Sequence, residues 1–244
     1  IVDLDNDGYQ DLFITNGYIK DIRDNDFKNK YDNEIKYAKE YKSFKEINEL
    51  IPVTKLANYF YKNNGNLTFS KMNFEWGVTD LVNANGAVYS DLDNDGDMDV
   101  VLNVTNEKSF ILENKSSNKN GYLDVQLIGM KGNQNCIGAK IEMIYDQGRQ
   151  FREMQTVKGF QSSVTSRVHF GLGTANKIDT LKISWNLKEE TILTNVEINQ
   201  LLKINYGESI IGKKGALKQN VYFEEVNIAG LSNYVHEEFQ VNDF

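Results

Sequence analysis

A nine-residue stretch near the start of the chain, Asp3-Leu4-Asp5-Asn6-Asp7-Gly8-Tyr9-Gln10-Asp11, recurs 88 residues later as Asp91-Leu92-Asp93-Asn94-Asp95-Gly96-Asp97-Met98-Asp99. Seven of the nine positions are identical, and apolar, strand-like residues follow each copy. A repeat of this kind indicates one supersecondary unit that is used more than once. We therefore predict two equivalent loops between strands, here named the first loop (residues 3–11) and the second loop (residues 91–99).

The residue types in these loops are those that bind calcium. Carboxylates at positions 1, 3, 5 and 9 supply hard oxygen donors, and glycine at position 6 lets the backbone bend so that the carbonyl of position 7 turns inward. Ca²⁺ takes about six to eight oxygens, whereas Mg²⁺ requires a stricter octahedron, so calcium is the predicted cofactor. The candidate metal ligands are Asp3, Asp5, Asp7, Tyr9 (carbonyl) and Asp11, and Asp91, Asp93, Asp95, Asp97 (carbonyl) and Asp99.

The repeat begins like an EF-hand loop but does not end like one. An EF-hand requires a bidentate Glu at position 12, where this chain has Ile14 and Leu102. The alternative to a metal site is a pair of solvated turns, because Asp, Asn and Gly are also the ordinary turn residues. The recurrence of the whole pattern favours the metal site.

These loops resemble those of FG-GAP/VCBS repeats, which build integrin-α-like β-propellers with a calcium loop in each blade. The segment from Asn58 to Phe69 resembles the hairpin of the same repeat, and its Asn64-Gly65 pair is by itself a hairpin signal. The resemblance covers residues 1–20 and 57–115. It implies that residues 1–118 are a propeller fragment of one to two blades.

A helical insert is predicted within this fragment, over residues 21–51. Aromatic and aliphatic residues recur there at three- and four-residue steps, namely Phe27, Tyr31, Ile35, Ala38, Tyr41 and Phe44. A capping box at Ser43 and Glu46 predicts a second helix that ends before Pro52. We expect the aromatic side chains to face a core, as a decoration packed on the propeller rim rather than a ligand lid.

Beyond a polar stretch at 114–121 the pattern changes to closely spaced strands. This density predicts an antiparallel β-sandwich or barrel over residues 119–206. The mainly β fold class is thus partial β-propeller blades with a helical insert, followed by an antiparallel sandwich-like domain. The seven predicted strands are Leu123–Met130, Ile137–Tyr145, Gln150–Val157, Val164–Phe170, Ile178–Trp185, Glu190–Leu193 and Leu201–Tyr206.

This second region resembles the ASPIC/UnbV domain, most specifically at His169-Phe170-Gly171-Leu172-Gly173. A single histidine without a Ser or Cys partner is interpreted as structural. The remaining segment, residues 207–244, is predicted to be a linker and the start of a further repeat, since Phe223–Leu231 resembles Phe69–Val78.

Composition restricts the function classes. Lys and Arg number 27 against 35 Asp and Glu, a net charge of −8, which argues against nucleic-acid binding. No apolar run is long enough to span a membrane, and a single cysteine, Cys136, excludes an internal disulfide. The chain opens at Ile1 in a strand-like run, so we expect it to be part of a longer protein, in which any export signal would lie upstream.

The sequence thus predicts a non-enzymatic, calcium-binding module that binds a protein or glycan outside the cell or on its outer surface. One alternative is part of an enzyme acting on polysaccharide, which would need a carboxylate pair that is not bound to metal. A weaker alternative is RNA binding by the second region. Within that region, residues 121–206 have ten Lys/Arg against eight Asp/Glu, a charge of only +2, and no RNP-like aromatic motif.

Overall fold

The computed structural model describes residues 1–37, 43–116, 120–186, 189–207 and 211–213. Strands dominate these ranges. The strands are β1 (Leu12–Ile14), β2 (Tyr59–Asn63), β3 (Phe69–Lys71), β4 (Ala84–Ser90), β5 (Asp99–Val104), β6 (Phe110–Leu112), β7 (Gly121–Ile128), β8 (Lys140–Tyr145), β9 (Gly148–Glu153), β10 (Val168–Gly173), β11 (Ile178–Ser184), β12 (Glu189–Val196), β13 (Gln200–Asn205) and β14 (Ile211–Lys213). The helices are α1 (Asn25–Lys30), which continues into a π-helical turn over Tyr31–Lys36, and α2 (Phe44–Leu50).

The first half of the chain forms two antiparallel sheets of three strands, β1-β2-β3 and β4-β5-β6. Each loop of the repeat leads directly into a strand of one sheet, the first loop into β1 and the second into β5. The predicted hairpin is confirmed, because β2 and β3 pair antiparallel across the turn that contains Asn64 and Gly65.

The two sheets share one register around their loops. Immediately before each loop, Val2 bridges Asp11 and Ser90 pairs with Asp99. Immediately after each loop, the next residue again has an equivalent partner, as Leu12 pairs with Tyr61 and Val100 with Leu112. The sequence repeat is therefore also a structural repeat.

The helical insert differs in part from its prediction. The capping box is confirmed, because the Ser43 hydroxyl accepts from the Glu46 amide and the Glu46 carboxylate accepts from the Ser43 amide. The expectation that the aromatic side chains face a core is wrong for Phe44, which is 86 % exposed, and for Tyr31, which is 38 % exposed; Phe27 is half-buried. Neither α-helix has a buried residue, so helical periodicity here reflects local helix formation and not a packed face. Two predicted positions of the pattern, Ala38 and Tyr41, lie outside the described residues.

The second half contains all seven predicted strands, β7 to β13, in two sheets ordered β10-β7-β13 and β14-β12-β11-β8-β9. The prediction of antiparallel pairing holds with one exception, because β13 pairs parallel to β7. The sheets do not close into a barrel within the described ranges. Ile211–Lys213, predicted to be linker, form β14 and pair with β12; residues 208–210 and 214–244 lie outside the described part of the chain.

Two hydrophobic cores hold these sheets together, one in each half of the chain. The first is built by the β1–β6 half and includes Phe60 and Leu102. The second lies between the other two sheets and includes Phe170 from β10 and Ile183 from β11. Residues Ile1–Lys214 nevertheless cluster into one compact unit. No helix in the described ranges is long and apolar enough to cross a bilayer.

Two phenylalanines with opposite burial test this assignment of the core. Phe170→Ala removes a side chain with 0 % exposure, so we expect it to lower the free energy of unfolding by about 3–5 kcal/mol in urea titrations. Phe44→Ala is the matched control, and we expect a change within about 0.5 kcal/mol because the ring is exposed. Equal losses in the two variants would contradict the described packing.

Candidate metal centre

The two loops have the same backbone conformation. Asn6 and Asn94 are left-handed with φ of 58° and 62°, and Gly8 and Gly96 have φ of 95° and 93°. Asn and Gly are the residues that adopt this region at least cost. The residues at the fourth and sixth positions of the repeat therefore set the backbone conformation of the loop. This conformation turns the aspartate side chains toward one another.

The first aspartate of each loop closes it from within. One carboxylate oxygen of Asp3 accepts a hydrogen bond from the Gly8 amide at 2.8 Å, and the equivalent bond joins Asp91 to Gly96 at 3.2 Å. The second oxygen of Asp3 is buried and has no hydrogen-bond partner among the described residues, and Asp3 itself is 0 % exposed.

The ninth aspartate fastens each loop to the neighbouring strand. Asp11 and Asp99 each accept two backbone amide hydrogen bonds, at 2.8–3.0 Å. One donor lies within the loop, and the other lies at the end of β2 or two residues beyond the end of β6. The donors are Leu4 and Asn63 in the first unit, and Leu92 and Asn114 in the second.

The predicted ligands come together only in part. In the first loop, Asp3, Asp5 and Asp11 each place a carboxylate oxygen within 4.8 Å of the others, while Asp7 lies outside this group. The second loop brings its first three aspartates together in the same way, and its ninth, Asp99, lies outside the group. The second group consists of Asp91, Asp93 and Asp95.

The carbonyl ligands predicted at position 7 stay a prediction. The amides of Tyr9 and Asp97 each donate to the carboxylate two residues earlier, at 2.9 and 3.1 Å, as expected for a tight turn. Their side chains differ, because Tyr9 is half-exposed whereas Asp97 is buried and accepts from the Ser116 amide at 2.7 Å.

The first loop is buried and electrostatically strained. Burial raises the pKa of Asp3 to about 7 and that of Asp11 to about 6, against an ordinary value of 3.8. Asp5 also has one buried oxygen without a hydrogen-bond partner among the described residues. Buried oxygens of this kind normally have partners, and a hard divalent cation such as Ca²⁺ is a partner that carboxylate oxygens suit. The residues of this loop therefore fit the predicted ion.

One residue that the sequence prediction missed, Lys62 on β2, reaches this loop. Its ammonium contacts a carboxylate oxygen of Asp5 and one of Asp7, the latter at 2.6 Å. Burial alone would lower the pKa of Lys62, but the hydrogen bonds to Asp5 and Asp7 outweigh it and raise the pKa above its ordinary value. Lys62 thus contacts Asp5, which belongs to the group of three aspartates, and Asp7, which lies outside it.

The second loop has the same shape in an exposed setting. Asp93 and Asp95 are exposed and Asp91 is half-buried; burial of Asp91 raises its pKa above the ordinary value. Within the described part of the chain, no lysine or arginine forms an ion pair with these three aspartates. Glu113, the residue before Asn114, has the position in this unit that Lys62 has in the first.

The first loop also packs against the second half of the chain. Asn6 donates with its side-chain amide to the Gly96 carbonyl of the second loop at 3.0 Å, and its own backbone carbonyl accepts from the Gly173 amide of β10 at 2.7 Å. Tyr122 of β7 covers Gly96 so closely that a Cβ there would lie 2.0 Å from the ring. Both loops therefore contact the β7–β10 edge of the second region.

His169 connects the two halves. Its Nδ1 lies 2.8 Å from Asp124 Oδ1 and its Nε2 lies 2.6 Å from Asn6 Oδ1, and all three side chains are buried. Because the Asn6 amide nitrogen is directed to the Gly96 carbonyl, both imidazole nitrogens of His169 face side-chain oxygens. This environment supports the structural interpretation of His169.

The His-Phe-Gly-Leu-Gly segment has alternating roles that follow from strand geometry. Phe170 and Leu172 are fully buried in the core of the second region, while His169 and the two glycines face the first loop. A Cβ on Gly171 would lie 2.1 Å from an Asp3 carboxylate oxygen and 2.6 Å from the Asn6 Cα. Glycine is therefore required where the loop backbone approaches the strand.

Two cavities lie near the loops. The smaller, of about 40 Å³, is lined by the three basic residues Arg152, Lys158 and Arg167, together with Asp3 and His169. The larger, of about 580 Å³, lies between the two units of the repeat. Its apolar lining includes Leu4, Phe60, Trp76, Met98 and Leu112, and its polar lining includes Asp5, Glu75, Glu113, Asn114 and Asn120.

Comparison with known families confirms one of the two resemblances. Residues 129–211 match the model of the ASPIC and UnbV family, a range that begins just after β7 and ends in β14. These residues are similar to that family, and the prediction of an ASPIC/UnbV-like domain is confirmed over this range. No family match covers the two loops, so the FG-GAP/VCBS resemblance stays a prediction. A search of curated proteins finds no match to the chain.

We predict that Gly171→Ala disrupts the contact between the first loop and β10. The added methyl group meets the backbone of Asn6 and the carboxylate of Asp3, so we expect a loss of about 1–3 kcal/mol in unfolding free energy. Gly86→Ala on β4 is the control, because its Cβ would meet a side-chain hydroxyl, that of Ser162, at 3.1 Å. Comparable losses would contradict the close approach at Gly171.

The pH dependence of stability follows from the raised pKa values of Asp3 and Asp11. A carboxyl group whose pKa is higher in the folded than in the unfolded state contributes stability that is fully present below about pH 4 and is lost as the pH rises toward 7. In EDTA, we expect the melting temperature of the wild type to fall between pH 5 and pH 8 more steeply than that of Asp3→Asn. Parallel curves for the two proteins would contradict this assignment.

Proposed function

We propose that this chain is a calcium-binding, non-enzymatic interaction module that acts outside the cell or on its outer surface and binds a protein or a glycan. The observation that carries the proposal is that the two loops have the same backbone conformation and the same hydrogen bonds. Both use the same left-handed Asn and Gly positions and the same amide hydrogen bonds to the first and ninth aspartates. A solvated turn has no need to repeat this arrangement of four carboxylates.

The unpaired oxygens of the first loop support calcium in particular. Asp3 is inaccessible to solvent, so an ionised carboxylate there needs a partner that supplies positive charge. A divalent ion at the Asp3–Asp5–Asp11 group would meet that need, and carbonyls and water would complete its shell. Loops of modest affinity are kept filled by the millimolar calcium found outside cells, which favours an exported protein.

The shared register of the two sheets supports the FG-GAP/VCBS interpretation. In both units, the residue immediately before the loop pairs with the ninth aspartate of that loop. In both, the backbone amide of an asparagine at the same register position donates to that aspartate. We propose that the β1-β2-β3 and β4-β5-β6 sheets are two blades of a propeller. Such a scaffold presents loops on a rigid frame, and this is how interaction surfaces are commonly built.

The larger cavity is the proposed ligand site. Its volume of about 580 Å³ lies within the usual range of roughly 300–1,000 Å³ for small-ligand sites. Its lining includes the aromatic side chains of Phe60 and Trp76, together with carboxylate and amide side chains. This combination suits a ligand with both apolar faces and hydroxyl groups, such as a sugar. The loop aspartates are engaged by amides and by Lys62, which is why we assign them to binding and not to acid–base chemistry.

Thermal unfolding of the whole chain tests the proposal. We expect millimolar Ca²⁺ to raise the melting temperature above that in EDTA, and Mg²⁺ to do so much less. Binding to the folded state at a hundred-fold excess over Kd stabilises it by about 2.7 kcal/mol per site. Asp93→Ala, in the second loop, should remove part of this stabilisation, and the pair Asp5→Ala and Asp93→Ala should remove most of it.

Asp179→Ala is the matched control for these substitutions, because Asp179 is exposed on β11 and distant in sequence from both loops. It should leave the calcium effect unchanged. A calcium shift that persists in the double variant, or is missing from the wild type, would show that the loops are acidic turns.

A further inference from the structure

Lys62 places a positive charge against two of the predicted calcium ligands of the first loop. Its ammonium contacts one oxygen of Asp5 and one of Asp7, the third and fifth positions of the first loop. The lysine side chain is only 28 % exposed. These contacts are therefore partly shielded from water, which strengthens them relative to a surface ion pair.

Other carboxylate oxygens of the first loop have no contact with the Lys62 ammonium. One oxygen of the buried Asp3 and one of Asp5 have no hydrogen-bond partner among the described residues. Asp3, Asp5 and Asp11 nevertheless place carboxylate oxygens within 4.8 Å of one another. Lys62 thus offsets negative charge at Asp5 and Asp7. The unpaired oxygens of Asp3 and Asp5 remain, and they indicate a site for a further cation.

The second loop provides an internal comparison. Asn63 and Asn114 donate equivalent amide hydrogen bonds to the ninth aspartates, so the residues immediately before them occupy equivalent positions. These residues are Lys62 and Glu113. Two loops with one backbone conformation therefore differ by two units of charge at the same position.

We propose that Lys62 is a built-in counter-cation that competes with a divalent ion for Asp5 and Asp7 in the first loop. This inference rests on the proposed function, since it concerns the affinity of one of its two ion sites. With the ion absent, Lys62 holds the carboxylates together. When the ion binds with its full ligand set, the ammonium leaves Asp7 and Asp5, so its charge weakens ion binding at this loop.

Calorimetric titration with Ca²⁺ tests the competition. The titrated protein is the whole chain with the substitution Asp93→Ala in the second loop, so that the heat of Ca²⁺ binding comes from the first loop alone. Lys62→Met removes the charge and keeps the length of the side chain, and we expect it to tighten Ca²⁺ binding by about ten-fold or more, because one positive charge near the ion is lost. Lys62→Arg retains the charge and is the matched control, with an affinity close to that of the unsubstituted lysine.

A second measurement separates competition from a structural role. In EDTA, Lys62→Met should lower the melting temperature because the carboxylates lose their counter-cation, and Ca²⁺ should restore it. A lysine that only packs against the loop would also lower the melting temperature when replaced, but its replacement would not tighten calcium binding. The mirror substitution, Glu113→Lys in an Asp5→Ala chain, should weaken Ca²⁺ binding at the second loop by a similar factor.

The outcomes distinguish the two proposals. Calcium binding that is equally tight in the chain with Lys62, in Lys62→Met and in Lys62→Arg would overturn the competition and leave calcium binding intact. Absence of calcium binding in the wild type and in Lys62→Met would overturn both. Binding that is detected only after Lys62→Met would support the competition, since it would mean that the ammonium excludes the ion from the first loop.

Discussion

Repulsion among aspartates is the interaction on which the arrangement of the first half depends. A loop that places four carboxylates on one turn is unfavourable unless positive partners surround it. The chain supplies two kinds of partner itself. Backbone amides hold the first and ninth aspartates, and in the first loop an ammonium group holds the third and fifth. These bonds also position the strands next to each loop. The register of the sheets therefore depends on how the charges of the loops are compensated.

Much of the fold could be predicted because it depends on local patterns. The repeat specified two equivalent units, and short apolar runs located every strand from β7 to β13. The parallel pairing of β13 with β7 could not be predicted in the same way, because pairing direction depends on the path of the chain between strands. The exposure of Phe44 was missed since periodicity shows that a helix has an apolar face, but not that another element covers it.

The candidate site shows the same division. The aspartates were visible in the sequence because they recur at fixed positions. Lys62 was not, since it is distant from the first loop in sequence and is only one residue of an ordinary hairpin strand. One signal was available: it immediately precedes Asn63, just as Glu113 precedes Asn114, and aligning the two units on their ninth aspartates exposes the difference. The contact between His169 and Asn6 spans 163 residues and required the folded structure.

The position of Asn6 has a consequence for how such chains can be recombined. One side chain and its backbone carbonyl serve the second loop, the imidazole of His169 and the amide of Gly173. If the second region were joined to a loop with another residue at this position, the buried Asp124–His169 pair would lose this neighbour. The two halves are therefore suited to be inherited together, as a matched pair rather than as interchangeable modules.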